Sequence, residues 1–305
     1  IRAGGTLPTI RGGIRLTRPS PGKLLRTAVE EQTIQIPGAF NALVARLIER
    51  LGFDAAYLSG AAFSAGALGL PDVGLFTLTE LAAQTATLAR AVEIPLIVDA
   101  DTGFGEAVNV ERTVRELEAA GAAAIQLEDQ QLPKRCGHLS GKSLVTADEM
   151  CAKLRAAASA RRDPELVLIA RTDARGTDSL DEAIARAKAY LAAGADWIFP
   201  EALESREEFD RFSREIEAPL VANMTEFGKS PLLSLDELAN LGYAGVIYPV
   251  TALRIAMKAI EAGLAVLDQE GTQAGLLDLM QTREELYDLL GYDEYERRDR
   301  EHRTV

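Results

Sequence analysis

The chain has little of what soft-metal, nucleophilic and imidazole chemistry most often uses: two cysteines and two histidines in 305 residues. Cys136 and Cys151 do not make a disulfide framework, which excludes a small oxidised scaffold. No apolar run approaches the roughly 18 residues that a membrane helix needs. Residues 1–18 mix Arg, Gly and Thr without an apolar centre, which does not fit a secretory signal. Positive charge is in deficit, with 46 acidic against 33 basic residues and a net charge of −13. That disfavours non-specific nucleic-acid binding, which needs a basic surface. It also means that an anionic ligand needs a local cluster of cations or a metal. Aromatics make up only 6 %, and with abundant alanine this suits helices packed closely on a sheet, not an all-β fold. The expectation is a cytoplasmic chain, with residues 1–20 an N-terminal arm and 21–305 a single domain.

One pattern recurs. A helical stretch ends at a glycine, a few residues follow, and a short apolar run closes on polar residues. Gly52 precedes 55–59, Gly121 precedes 124–128, Gly194 precedes 197–201 and Gly242 precedes 244–248. Glycine past a helix supplies a left-handed cap, and short apolar runs between helices read as buried parallel strands. Further runs at 34–38, 95–99, 166–171 and 220–222 bring the strands to eight. Helices are expected over 41–51, 79–92, 109–120, 146–161, 179–193, 206–216, 234–241 and 251–261. Thr146 with Glu149 and Ser179 with Glu182 are start signals. Eight β-α units predict an α/β fold, a (β/α)8 TIM barrel. An open doubly wound sheet is the alternative, weakened because no Gly-x-Gly-x-x-Gly follows the first strand. Residues 264–305 add an amphipathic helix near 276–290 and a charged end. This extra C-terminal segment is expected to pack on a neighbouring subunit.

Catalytic groups of such barrels sit at the C-terminal ends of the strands. Here those ends carry Tyr57 and Ser59, Asp99 and Asp101, Glu128 and Asp129, Arg171 and Asp173, Glu201, Asn223 and Thr225. Helix capping explains one or two of these, not acids at four ends in a row, which repel unless a cation lies between them. Asp99 and Asp101 alternate, so an extended chain points both the same way. Hard oxygen ligands suit Mg2+. Asp72, Glu128 and Glu201 are further candidates, as direct ligands or behind the first two. Arg171 can clamp a carboxylate through two parallel hydrogen bonds, or pair with Glu128 or Asp173. Arg254 and Arg283 are explained equally well by surface ion pairs. Lys134-Arg135-Cys136-Gly137-His138 packs two cations, a thiol and an imidazole into five residues. A thiol so placed is expected to have a lowered pKa. His138 reads as orienting a substrate oxygen, and Gly137 and Gly141 as flexible points of a loop that closes over substrate. Cys151, inside a helix, reads as packing. Trp197, Phe199 and Tyr248 read as barrel core.

That pentapeptide resembles the signature of the isocitrate lyase/phosphoenolpyruvate mutase superfamily, in the form typical of its 2-methylisocitrate lyases. Tyr57-Leu58-Ser59-Gly60, Gly69-Leu70-Pro71-Asp72, Asp99-Ala100-Asp101-Thr102-Gly103 and Ala170-Arg171-Thr172-Asp173 resemble further family blocks, in family order. So do Phe199-Pro200-Glu201, Asn223-Met224-Thr225-Glu226, Tyr248-Pro249 with Arg254, and the stretch 281–287 that holds Arg283. The resemblance implies a tetramer with a swapped helix. It implies Mg2+ (Mn2+ as a substitute) near Asp99 and Asp101, and cleavage of the tricarboxylate 2-methylisocitrate to pyruvate and succinate, a step of propionate catabolism. It casts Cys136 as the acid that protonates the succinate carbanion and Tyr57 as a base or relay. Lys134, Arg135 and His138 stand with them at the reacting centre. Ser59, Gly60, Ala61, Gly137, Arg171, Glu201, Asn223, Thr225, Arg254 and Arg283 would bind substrate. Ala61 stands where the family often has glycine. Leu139-Ser140-Gly141-Lys142 resembles the isocitrate lyase form of the loop, whereas Phe199 replaces the tryptophan of isocitrate lyases and leaves room for a methyl group. Isocitrate lyase, oxaloacetate hydrolase and phosphonate mutase activities are the alternatives, and Cys136 argues against the mutases. A non-catalytic binding barrel would show degraded strand ends, and these look intact.

Overall fold

The computed structural model describes residues 19–139 and 141–303. Apart from Pro19 and Ser20, the expected arm lies outside the described residues. Eight strands form, each within a residue or two of its expected place: β1 (Ile34–Pro37), β2 (Ala56–Leu58), β3 (Leu96–Asp99), β4 (Ala124–Glu128), β5 (Val167–Thr172), β6 (Trp197–Pro200), β7 (Val221–Asn223) and β8 (Gly245–Tyr248). All pairings are parallel, in the orders β1-β8-β7 and β2-β3-β4-β5-β6. Single parallel bridges, Gly38 to Tyr57 and Ile198 to Leu220, link the two sheets. Each strand thus lies beside its successor in sequence, and β8 lies beside β1.

The helices are α1 (Pro21–Glu31), α2 (Ala42–Arg50), α3 (Gly60–Leu68), α4 (Leu78–Ala89), α5 (Ala107–Ala119), α6 (Ala147–Ala160), α7 (Ala174–Thr177), α8 (Leu180–Ala192), α9 (Arg206–Glu215), α10 (Leu235–Asn240), α11 (Thr251–Glu270), α12 (Arg283–Leu290) and α13 (Tyr292–Arg303). Asn41, Thr77, Thr146, Ser179, Ser205, Ser234 and Thr282 each accept a backbone N–H in the first turn that follows, which fixes where those helices begin. The single helix expected near 276–290 is instead a 3-10 turn over Ala274–Leu279 followed by α12. Thr282 and Glu285 form a capping box there, and a residue that caps a helix cannot also lie inside one. Four helices were not expected: α1, α3, the single turn α7 and α13 in the charged end. α1 follows the Ser20 cap with proline in its first turn and packs Leu25 against the strands. α3 carries two glycines and no polar stripe, so periodicity does not reveal it.

Strand side chains alternate between two cores. Leu58, Val98, Ile125, Leu127, Leu168, Ala170, Ile198 and Val246 pack toward the helices. Ile34, Ile36, Tyr57, Ile97, Ala124, Val167, Ile169, Trp197, Phe199, Val221 and Ile247 form the other core, with Leu25 of α1. Trp197 and Phe199 are therefore core residues as expected, and Cys151 is buried in α6.

Asp129, fully buried just past β4, ties three elements together. It accepts from Thr172 Oγ1 (2.8 Å), the Asp173 amide (2.9 Å) and Tyr190 OH (2.7 Å), with Arg186 3.3 Å away. Asp129→Ala strands these donors and is expected to cost about 3–5 kcal/mol of stability, read from the urea midpoint. A loss below about 1 kcal/mol would contradict this role.

Candidate active site

The second core continues upward as polar side chains, because every other residue of a strand shares a face. Above Ile97 comes Asp99. Above Ala124 come Gln126 and Glu128. Above Ile169 come Arg171 and Asp173, above Phe199 comes Glu201, and above Val221 comes Asn223. They surround a cleft of about 580 Å3, its open mouth included.

Of the expected site residues, Tyr57, Ser59, Ala61, Asp72, Asp99, Lys134, Arg135, Cys136, Gly137, His138, Arg171, Glu201, Asn223, Thr225 and Arg254 line this cleft. Gly60, Asp101 and Glu128 are buried beside it. Arg283 is not among the lining residues. It starts α12, whose Asp288 pairs with Arg50 at the end of α2, away from the polar strand ends. The site within one chain therefore forms without Arg283.

One half of the cleft is acidic. Asp99 Oδ2 accepts from the Gly60 amide (3.1 Å), and its Oδ1 accepts from the Asp101 amide and Gln126 Nε2 (both 3.2 Å). Gln126 Oε1 in turn accepts from Tyr57 OH at 2.9 Å. The Gly60 amide is thus committed to Asp99 and not free for a substrate carboxylate. A Cβ on Gly60 would lie 2.9 Å from Asp101 Oδ1, so only glycine lets α3 approach so near. Lys134 Nζ sits between Asp72, which it contacts, and Asp101 Oδ1 at 2.9 Å. Burial pushes the Asp101 carboxyl up to about 7, helped by Asp99 and resisted by Lys134. Burial also drives Glu128 well above the usual carboxylate range, against the pull of Arg171 and Lys134. Burial and then Asp99 raise the Tyr57 phenol well above its usual value. Lys134 would be lowered by burial, but Asp101, Glu128 and Asp72 hold it charged.

The other half is an ion-pair lattice. Arg171 makes two hydrogen bonds to Asp173 (2.9 and 3.1 Å), lies 3.2 Å from Glu201 and sits over the Phe199 ring at 5.2 Å. Asn223 Nδ2 (3.2 Å) and the Ala202 amide (2.8 Å) donate to Glu201. Burial would raise Glu201, yet Arg171 and His138 hold it at about 2. His138 Nδ1 accepts from the Lys229 amide at 2.9 Å, so the neutral ring carries its proton on Nε2, 3.0 Å from Glu201. Lys142, absent from the expected site, has an enclosed side chain that pairs with Asp173 at 2.7 Å while contacting the Gly137 carbonyl. These contacts hold the 134–142 loop down over the cleft. A Cβ on Gly137 would fall 2.4 Å from both Arg171 and Glu201, so the loop backbone rests directly on that pair.

Cys136, half-buried, faces the cleft, but its neighbours in sequence turn their charges elsewhere: Lys134 to Asp72 and Asp101, His138 to Glu201. Two of the three cations expected around the thiol are thus engaged by carboxylates. Gln126 also escaped the sequence reading. The period-two rule marks it, two residues before Glu128 on the same face.

The family model described as phosphoenolpyruvate phosphomutase matches residues 25–267. A 2-methylisocitrate lyase of Aeropyrum pernix is 55 % identical over 282 residues, covering 92 % of this chain and 91 % of that protein. One from Halalkalibacterium halodurans is 51 % identical over 271 residues, 89 % of each chain. The crystal structure of 2,3-dimethylmalate lyase, a member of the same superfamily, superposes with a TM-score of 0.88 at 35 % identity, covering 94 % of this chain and 96 % of that one. The chain belongs to the phosphoenolpyruvate mutase/isocitrate lyase superfamily and stands among its 2-methylisocitrate lyases.

Proposed function

We propose that the protein is a divalent-metal-dependent lyase that cleaves 2-methylisocitrate to pyruvate and succinate. The observation that carries the reading is a single cleft with carboxylates on one wall and Cys136 on a loop held against it. Phe199, under Arg171 in the facing half of the cleft, leaves space that suits the substrate's methyl group.

Among the described residues no three His, Cys, Asp or Glu side chains gather as a ready-made metal cage. Mg2+ seldom uses one, since it keeps several waters and takes one or two carboxylates. Glu128 Oε1 is buried without a hydrogen-bond donor, and Asp101 Oδ1 is met by the Lys134 ammonium at 2.9 Å, which suits a cation beside them. Asp99 and Asp101 would hold the metal, with Asp72 and Glu128 behind them. When bound, it would polarise the substrate hydroxyl and the carboxylate next to it.

The chain's own groups do the rest. The first turn of α3 at Ser59 and Ala61, with Asn223, Thr225 and Arg254, would receive carboxylates, the helix end through its free amides. A carboxylate of the acidic wall takes the hydroxyl proton, and the C–O electrons form the pyruvate carbonyl as the C–C bond breaks. The electron pair is left beside a succinate carboxylate, and the Cys136 thiol gives it a proton. Tyr57 keeps its own proton and donates it to Gln126, so we assign it to orienting Asp99 and not to the base. Glu201 and Asp173 position Arg171 and His138. Lys134 and Arg135 complete the wall beside the thiol.

The same reading takes the eight strands as a closed (β/α)8 barrel and the enzyme as a cytoplasmic homotetramer in which the C-terminal helices cross to a neighbour. In support, α11 buries none of its residues and exposes Ile255, Met257, Ile260, Leu264 and Leu267.

With Mg2+, the protein is expected to release pyruvate from 2-methylisocitrate faster than glyoxylate from isocitrate, and EDTA is expected to stop both. Faster glyoxylate release overturns the assignment. Cys136→Ser is expected to lower kcat by about 100-fold or more with melting unchanged, as for loss of a general acid. Retention of most activity removes Cys136 from that role. A metal needs Asp101 ionised, and its carboxyl is raised to about 7. Mg2+ affinity should therefore be flat above pH 7 and weaken below it, toward about tenfold per pH unit, with proton uptake on release. Titration calorimetry at pH 6 and 8 checks this, and equal affinities contradict it.

A further inference from the structure

Asp101 lies in the left-handed region, at φ 47°, which is costly for a residue with a Cβ. Three successive carbonyls, its own the first, are captured by three different elements. The Asp101 carbonyl accepts from the Glu128 amide of β4 at 2.9 Å. The Thr102 carbonyl accepts from Lys153 Nζ of α6 at 3.1 Å. The Gly103 carbonyl accepts from Thr113 Oγ1 of α5 at 2.9 Å. A turn gripped at three consecutive carbonyls has little freedom to relax, and the Asp101 side chain is aimed by it.

Lys153 is the costly member of this set. It is 6 % exposed, and burying an ammonium is unfavourable unless its donors find acceptors. A methionine would fill the same space, so packing alone does not call for the charge. The catalytic scheme above makes no use of it.

We propose that Lys153 is a positioning residue that fixes the metal-binding carboxylate of Asp101 through the Thr102 carbonyl, an inference that rests on the metal reading above. Outer groups that orient ligands typically change metal affinity by about 10–100-fold when removed. The test is the Mg2+ dissociation constant of the full-length protein, by titration calorimetry, for wild type, Lys153→Met and Thr113→Val. Folding is checked by circular dichroism and melting. Lys153→Met is expected to weaken Mg2+ binding by about 10-fold or more, while saturating Mg2+ restores most of kcat. Thr113→Val keeps the side-chain shape and removes the neighbouring grip, so it should weaken binding in the same direction and decides the matter if Lys153→Met does not fold. Unchanged Mg2+ affinity in either folded variant overturns the inference. A wild type that binds no Mg2+ overturns instead the metal reading beneath it.

Discussion

Four carboxyls, Asp72, Asp99, Asp101 and Glu128, share the ammonium of Lys134, with only Arg171, 3.4 Å from Glu128, to add to it. The rest of the site depends on that imbalance. Charges of one sign brought out of water repel strongly, so the folded chain either leaves some of these groups protonated or takes up a cation. The raised Asp101 and Glu128 carboxyls are the first response. A dication would be the second, which is the sense in which the geometry asks for a metal. Across the cleft the balance differs. Asp173 and Glu201 are matched by Arg171, Lys142 and the Nε2 proton of His138. That half is electrically settled and can stay rigid while a substrate carboxylate arrives.

The two halves meet on the 134–142 loop. Lys134 faces the acidic wall, whereas His138 and Lys142 face the lattice. Cys136 lies between them, where a proton donor must stand if it is to reach a carbanion formed between the walls. Gly137 makes the close approach feasible, since any side chain there would collide with Arg171 and Glu201. The loop is thus a strap fastened at both ends by charge, and the thiol is carried on it.

Much of this was legible in the sequence. All eight strands could be read from short apolar runs after glycine caps, and acids at successive strand ends pointed to one face. The acidic Asp99 and Asp101 and the Lys134–His138 segment came together as expected. What was not legible has physical reasons. α3 has no polar stripe, so nothing in its pattern separates it from a loop. Lys142 was read only as part of a loop resemblance and given no role, because its partner Asp173 is remote in sequence. That Lys134 engages Asp72 and Asp101 could not be read from adjacency, since a lysine side chain is long enough to place its charge several residues away. Arg283 shared a family block with the site, but its helix packs near the end of α2.

Whether the acidic wall is a site for a divalent cation can be read from crystals soaked in Mn2+, by anomalous scattering. One strong peak per chain is expected against Asp99 and Asp101, with the Lys134 ammonium drawn away from Asp101. An empty wall at saturating Mn2+, with Lys134 still seated between Asp72 and Asp101, would contradict it.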